Sequence, residues 1–147
     1  MAVRTAYAPT AGEVLTAVNL EKMAGGWIGY DQIVADLTSA TSLDVVSSGA
    51  VTVGTGRRIR ISGLVNMLKD ATAGYVEVYI MEGATQHGLV YFTGAASSRG
   101  YGNPSVILQP SAGSHTYKLS YTCSLGAATA KAFAIGPAFI HVEDVGT

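Results

Sequence analysis

The sequence predicts an all-β protein: a single antiparallel β-sandwich, jelly-roll-like, with an N-terminal extended arm and a short helix. Three observations carry that reading. Apolar and polar residues alternate with period two in several runs, which gives a strand one dry face and one wet face. Turn signals rich in Gly, Pro and Ser recur every ~8–12 residues, as they do in sandwiches and barrels. No helical run separates the strands, which argues against a parallel α/β sheet. The 147 residues make one ordinary domain on the usual length prior. The expected division is residues 1–25 as the arm and residues 26–147 as the β-domain. A jelly roll is preferred to an immunoglobulin-like sandwich because Cys123 is the only cysteine, so the Cys–Trp–Cys framework is missing.

The elements follow in chain order. Met1 to Pro9 has no periodicity and reads as extended. Thr10-Ala11-Gly12-Glu13 has the Thr-x-x-Glu form of a capping box. Thr16 is a second candidate N-cap, with the helix over Ala17 to Met23 and an end at Gly25-Gly26. Such a helix is too short to be stable alone, so it must dock on something. Thr10, Glu13, Val14, Leu15, Val18 and Leu20 are the expected partner-binding residues of the arm.

Strands are expected next at Trp27 to Ala35 and, more weakly, at Leu43 to Val53. After the Gly54-Thr55-Gly56 turn, Arg58, Arg60 and Ser62 alternate with Ile59, Ile61 and Gly63. Tyr75 to Glu82 places Val76, Val78 and Ile80 on one side, with Tyr75, Glu77 and Tyr79 on the other. His87 to Thr93 is a further strand, and Gly94 to Pro104 reads as a long loop. Ser105 to Gln109, His115 to Leu125 and Ala130 to Val142 complete the set, the last with a break at Gly136-Pro137.

Composition excludes several function classes. The formal net charge is −1 and only 13% of residues are charged, against about 25% in an average soluble protein. No basic nucleic-acid patch or polybasic membrane segment follows from that balance. Strand alternation accounts for Arg57-Arg58-Ile59-Arg60. No stretch approaches the ~20 apolar residues of a membrane span, and Met1-Ala2-Val3-Arg4 opens no signal peptide. Synthesis in a cytoplasm is expected. A low-charge surface rich in small residues and Tyr fits a protein that buries much of its outside against neighbours.

No catalytic constellation stands out, so no enzyme, cofactor or metal is expected. His87, His115 and His141 lack the spacing of a metal pair. Glu77, Glu82 and Glu143-Asp144 read as solvated carboxylates or as members of intersubunit salt bridges. Gly54-x-Gly56 and Gly100-x-Gly102 precede no helix, so neither forms a phosphate loop. Cys123 reads as a buried structural thiol on the side of Tyr121 and Leu125. The aromatic residues fit cores and subunit interfaces, with a glycan groove as the other reading. Trp27, Tyr30 and Tyr101 are the interface candidates, Tyr101 because it stands alone in a Gly/Ser loop.

Two ends of the chain and one inner strand resemble a known group. Pro9 to Leu20 (PTAGEVLTAVNL), followed by Gly25-Gly26-Trp27-Ile28-Gly29-Tyr30, resembles a segment near the start of virion proteins in tailed phages of actinobacteria. Pro137 to Gly146 (PAFIHVEDVG) and Gly56 to Gly63 (GRRIRISG) are similar to segments of the same proteins, which are head-decoration or minor tail proteins. The resemblance implies a non-enzymatic virion component. One domain with one arm suits a capsid decoration (cement) protein on the capsid surface. Its partners would be the major capsid protein and itself, as a homotrimer, with no nucleic acid or membrane. A minor tail or tail-tip protein that binds host-surface carbohydrate, around Tyr101 and Arg99, is the alternative.

Overall fold

The structure is a computed structural model that describes residues 26–134 and 136–146, with Phe92 and Thr93 described through their backbone only. The arm and helix expected over residues 1–25 lie outside the described residues, and with them Thr10, Glu13, Val14, Leu15, Val18 and Leu20. Among the described residues the protein is all-β. Its strands are β1 (Trp27–Gln32), β2 (Leu37–Ser39), β3 (Leu43–Val53), β4 (Arg58–Lys69), β5 (Gly74–Glu82), β6 (Thr85–Gly94), β7 (Arg99–Gly102), β8 (Ser105–Leu108), β9 (Gly113–Cys123), β10 (Ala128–Ala130), β11 (Ala132–Phe133), β12 (Gly136–Pro137) and β13 (Phe139–Gly146).

The long strand β4 organises the first sheet. Its alternation turns Ile59, Ile61, Val65 and Met67 inward and leaves Arg58 and Arg60 exposed. Antiparallel partners line both of its edges. β13 and then β10 run along one edge. β8 and then β7 run along the other in a single register, from Leu108 opposite Ile59 to Arg99 opposite Leu68. Pro104 sits between β7 and β8. It has no N–H to give, but its carbonyl accepts from the Gly63 N–H at 3.0 Å, so the edge continues past it. β1 adds beyond β13, and β2 adds beyond β10.

The second sheet has the order β3-β9-β5-β6, with every pairing antiparallel. The core lies between the two sheets. Val76, Val78 and Ile80 of β5, and Tyr117, Leu119 and Tyr121 of β9, face Ile59, Ile61, Val65, Ile140 and Val142. Close approach of the sheets needs glycines at the points of contact. A Cβ on Gly102 would fall 2.5 Å from Val78 Cγ2, and one on Gly63 would fall 2.8 Å from Leu119 Cδ1. Tyr121 spans the core and donates its hydroxyl to the Ala128 carbonyl at 2.6 Å.

Several strand assignments differ from the sequence expectation: β1 ends at Gln32, and the short β2 has no counterpart in that expectation. β4 continues beyond Gly63 to Lys69. There the period-two signal fades, because outward Leu64 and Leu68 are apolar and partly covered. β7 forms inside the expected Gly94–Pro104 loop, since the free edge of β4 pairs with a segment of low strand propensity. The expected last strand is split. Ala130 opposes Met67 and Phe139 opposes Leu64, and the β11–β12 hairpin is looped out between them.

Candidate functional site

All three interface candidates lie on one surface. In an antiparallel pair, directly opposed residues share a face. Trp27 opposes Glu143, Tyr30 opposes His141, and Tyr101 opposes Asn66, all outward on the first sheet. Trp27 is 62% exposed and Tyr101 is 69% exposed. The Trp27 ring stacks on Tyr30 with centroids 5.5 Å apart, and lies 4.5 Å from the His141 ring. Tyr30 in turn lies 6.0 Å from Phe139. Ile107 is exposed on β8, and Arg99 on β7 holds its guanidinium 5.8 Å from the Phe133 centroid. From strand spacing and rise, Trp27 and Tyr101 are about 25 Å apart. They belong to one broad face and not to one pocket. Burial pushes the His141 imidazole below its ordinary pKa.

Of the two carboxylates of the last strand, Glu143 is part-exposed and Asp144 is an internal group instead of a solvated or intersubunit one. Asp144 is buried and takes a forked contact from Arg57: Nη2 donates to Oδ1 at 2.6 Å, and Nε lies 3.1 Å from both oxygens. Arg57 is buried too, so the Arg57–Arg60 run is not a simple wet face. This pair ties the β3–β4 turn to the chain's last strand. Glu143 pairs across the strands with Arg60 at 3.4 Å. Sequence spacing hid both pairs, whose partners are more than eighty residues apart.

A polar cluster caps one end of the core. Glu82, at the inward end of β5, sits between two histidines. His115 Nδ1 is 2.5 Å from its Oε1, and His87 Nε2 is 3.6 Å from its Oε2. The other His115 nitrogen is 2.8 Å from the Ser111 carbonyl oxygen. The neighbouring Glu82 carboxylate and the Ser111 carbonyl raise the His115 pKa against the opposing effect of burial. Tyr117 stacks on His115 with centroids 6.1 Å apart. The spacing of the histidines did not reveal this meeting, because β5, β6 and β9 bring Glu82, His87 and His115 together only across the sheet, while His141 lies on β13. Among the described residues no group of three or more His, Cys, Asp and Glu is arranged to hold a metal ion. Cys123 is half-buried, with a thiol pKa pushed up by burial, but Leu125 is exposed and does not share its environment.

The second sheet presents a groove that the sequence did not single out. It is an open hollow of about 490 Å³ lined by Ser42, Leu43, Asp44, Tyr79, Met81 and Ser120. Register explains the lining: Tyr79 opposes Ser120 on β9, which opposes Asp44 on β3. Asp44 accepts from Ser120 Oγ at 2.7 Å and from Lys118 Nζ at 2.5 Å, and both bonds hold its pKa below the usual carboxylate range. Beside the hollow, Tyr75, Tyr79 and Tyr91 share the outward face with Glu77, with Tyr91 directly opposite it in register and 71% exposed. The readable signal was the Tyr75-x-Glu77-x-Tyr79 alternation. What it lacked was the β6 and β3 neighbours.

No known protein family matches the chain, and no curated protein matches it. Several solved structures share a weak likeness. A carbohydrate-binding module of lichenase 5A from Cellvibrio mixtus, solved with cellotriose, is 14% identical over 80% of this chain and 88% of its own, with a TM-score of 0.34. A Bacillus endospore appendage pilus protein is 19% identical over 73% and 91%, with a TM-score of 0.28. The extra small virus of the giant freshwater prawn Macrobrachium rosenbergii is 14% identical over 96% and 89%, with a TM-score of 0.24. At these scores the likenesses carry no argument about function.

Proposed function

We propose that this chain is a structural, non-enzymatic protein of a bacteriophage virion: a capsid decoration protein made in the host cytoplasm and carried on the capsid surface. Its body would be a jelly-roll-like sandwich, and residues 1–25 would grip the major capsid protein or an adjacent subunit. The strand order supports the jelly-roll assignment. β1-β13-β4-β8 faces β3-β9-β5-β6, which sets the first strand beside the last, as Greek-key winding does. The observation that carries the assembly reading is the outward face of the first sheet. Trp27, Tyr30, Ile107 and Tyr101 all point away from the core there, in a protein with few charges. Tyr and Trp are the side chains most enriched where proteins meet. The resemblance of both chain ends to decoration and minor tail proteins supports the phage reading, and the trimer follows by analogy with decoration proteins.

Two measurements test it. Deleting residues 2–24 should leave a folded domain that no longer joins particles, and normal incorporation of that truncated protein would sink the idea. Gold-labelled antibody on intact particles should decorate the head in many copies. A handful of copies at the tail would favour the minor tail reading instead.

A further inference from the structure

We propose that the outward face of the second sheet is a binding site for an uncharged or N-acetylated oligosaccharide, with Tyr79 and Tyr91 as its platforms and Asp44 and Glu77 as its hydroxyl acceptors. The site is separate from the aromatic face of the first sheet, and the inference does not depend on the virion reading.

The argument begins with register. On the two neighbouring strands β5 and β6, Tyr91 opposes Glu77, and Tyr79 opposes Leu89. Tyr75 and Tyr79 are therefore the diagonal neighbours of Tyr91, about 7–8 Å away backbone to backbone. Three tyrosines thus share the outward face with Glu77 as its neighbours in the sheet, and inward-facing Val76, Val78 and Ile80 pin β5 beneath them. Sugars have the same dual character: C–H faces that pack on aromatic rings, and rims of hydroxyls that need acceptors. Tyrosine offers an apolar ring with a polar tip.

The groove supplies the second half. It continues from Tyr79 across Ser120 to Asp44 and has about 490 Å³ of room. That lies within the range of small-molecule sites. Asp44 already accepts from Ser120 and Lys118, which fixes its orientation. A carboxylate has about four acceptor positions, so it keeps capacity for hydroxyls. Charge narrows the ligand. Asp44 and Glu77 face Lys118 alone on this surface, so an acidic polysaccharide would meet net repulsion. A second protein copy is a poorer fit, because the central residues of the face, Glu77, Ser120, Thr122 and Asp44, are polar.

The test uses the purified chain and a panel of immobilised cellohexaose, maltohexaose, mannohexaose and chitohexaose, with a hexagalacturonate, acidic and free of N-acetyl groups, as the acidic arm. Any binder is then titrated calorimetrically. At least one uncharged or N-acetylated probe should bind, and the acidic probe should not. Tyr79→Ala and Tyr91→Ala should each weaken binding by about tenfold, the order expected for losing one aromatic contact. Trp27→Ser, on the opposite face, should leave the affinity unchanged. If either alanine variant unfolds, Asp44→Asn and Glu77→Gln, which keep shape, should still weaken binding. Silence across the panel, binding of the acidic probe alone, or affinity untouched by these substitutions would overturn the proposal. So would a tyrosine variant that changes only the oligomeric state.

Discussion

Asp144 and Arg57 are the residues whose loss should be felt most. Each is buried, and each is the other's charge partner. Removing one partner strands the other charge away from water, which costs about 3–5 kcal/mol in typical buried pairs. Arg57→Ala should lower stability by that order in chemical denaturation, and a change below about 1 kcal/mol would show the pair to be well hydrated. Gly102→Ala should cost about 1–3 kcal/mol by overpacking, since its Cβ would enter the space of Val78. Two of the shifted groups act at opposite ends of the pH range. The His115 pKa is raised above 6.5 by Glu82, so its contribution is complete below 6.5 and disappears as pH rises through the raised value. Lys69, with the Ala127 and Thr72 N–H groups, holds Asp70 down to about 2. Its contribution is complete above 3.8 and disappears as pH falls toward about 2. Melting temperature against pH should therefore decline on both sides. His115→Gln should flatten the alkaline side alone, and an unaltered alkaline side would remove this role.

At the scale of elements, the β11–β12 hairpin reads as an insertion. The Lys131 N–H donates to the Asn66 carbonyl, while Ala138 is buried one step further along, before Phe139 opposite Leu64. Joining Lys131 directly to Ala138 by deleting residues 132–137 would align β10 and β13 as one strand along β4. The shortened protein should fold, with unchanged far-ultraviolet dichroism and a modest fall in melting temperature. Its failure to fold would show that the hairpin is part of the core. The lost contacts would include the Asn66–Gly136 and Ala132–Asp36 hydrogen bonds and the Arg99–Phe133 cation–π contact. Strand edges also explain what the sequence concealed at this scale. Arg99-Gly100-Tyr101-Gly102 carries little strand propensity, yet the edge of β4 makes it a strand. Tyr75-x-Glu77-x-Tyr79 was legible because alternation there is local.

For the whole molecule, the two sheets divide the labour. Their inner faces share one apolar core, and their outer faces differ. The first carries Trp27, Tyr30, Ile107 and Tyr101, and the second carries tyrosines interleaved with carboxylates. If the first face is an assembly surface, Trp27→Ser should reduce self-association in sedimentation measurements without lowering the melting temperature. Self-association that survives both Trp27→Ser and Tyr101→Ser would move the interface elsewhere.

The chain's own pattern determined that its β-domain is all-β among the described residues, that Ile59, Ile61, Val76, Val78 and Ile80 face a core, and that Arg58 and Arg60 do not. Those are consequences of side chains alternating along a single strand, which needs no partner to be read. Tertiary structure alone decided that Trp27, Tyr30 and Tyr101 share a face, that Asp144 is buried on Arg57, that Glu82 gathers His87 and His115, and that Asp44 completes a groove with Tyr79. Each of these joins residues from different strands. Their meeting depends on sheet order and register, which follow from how the apolar faces pack together and not from any local spacing.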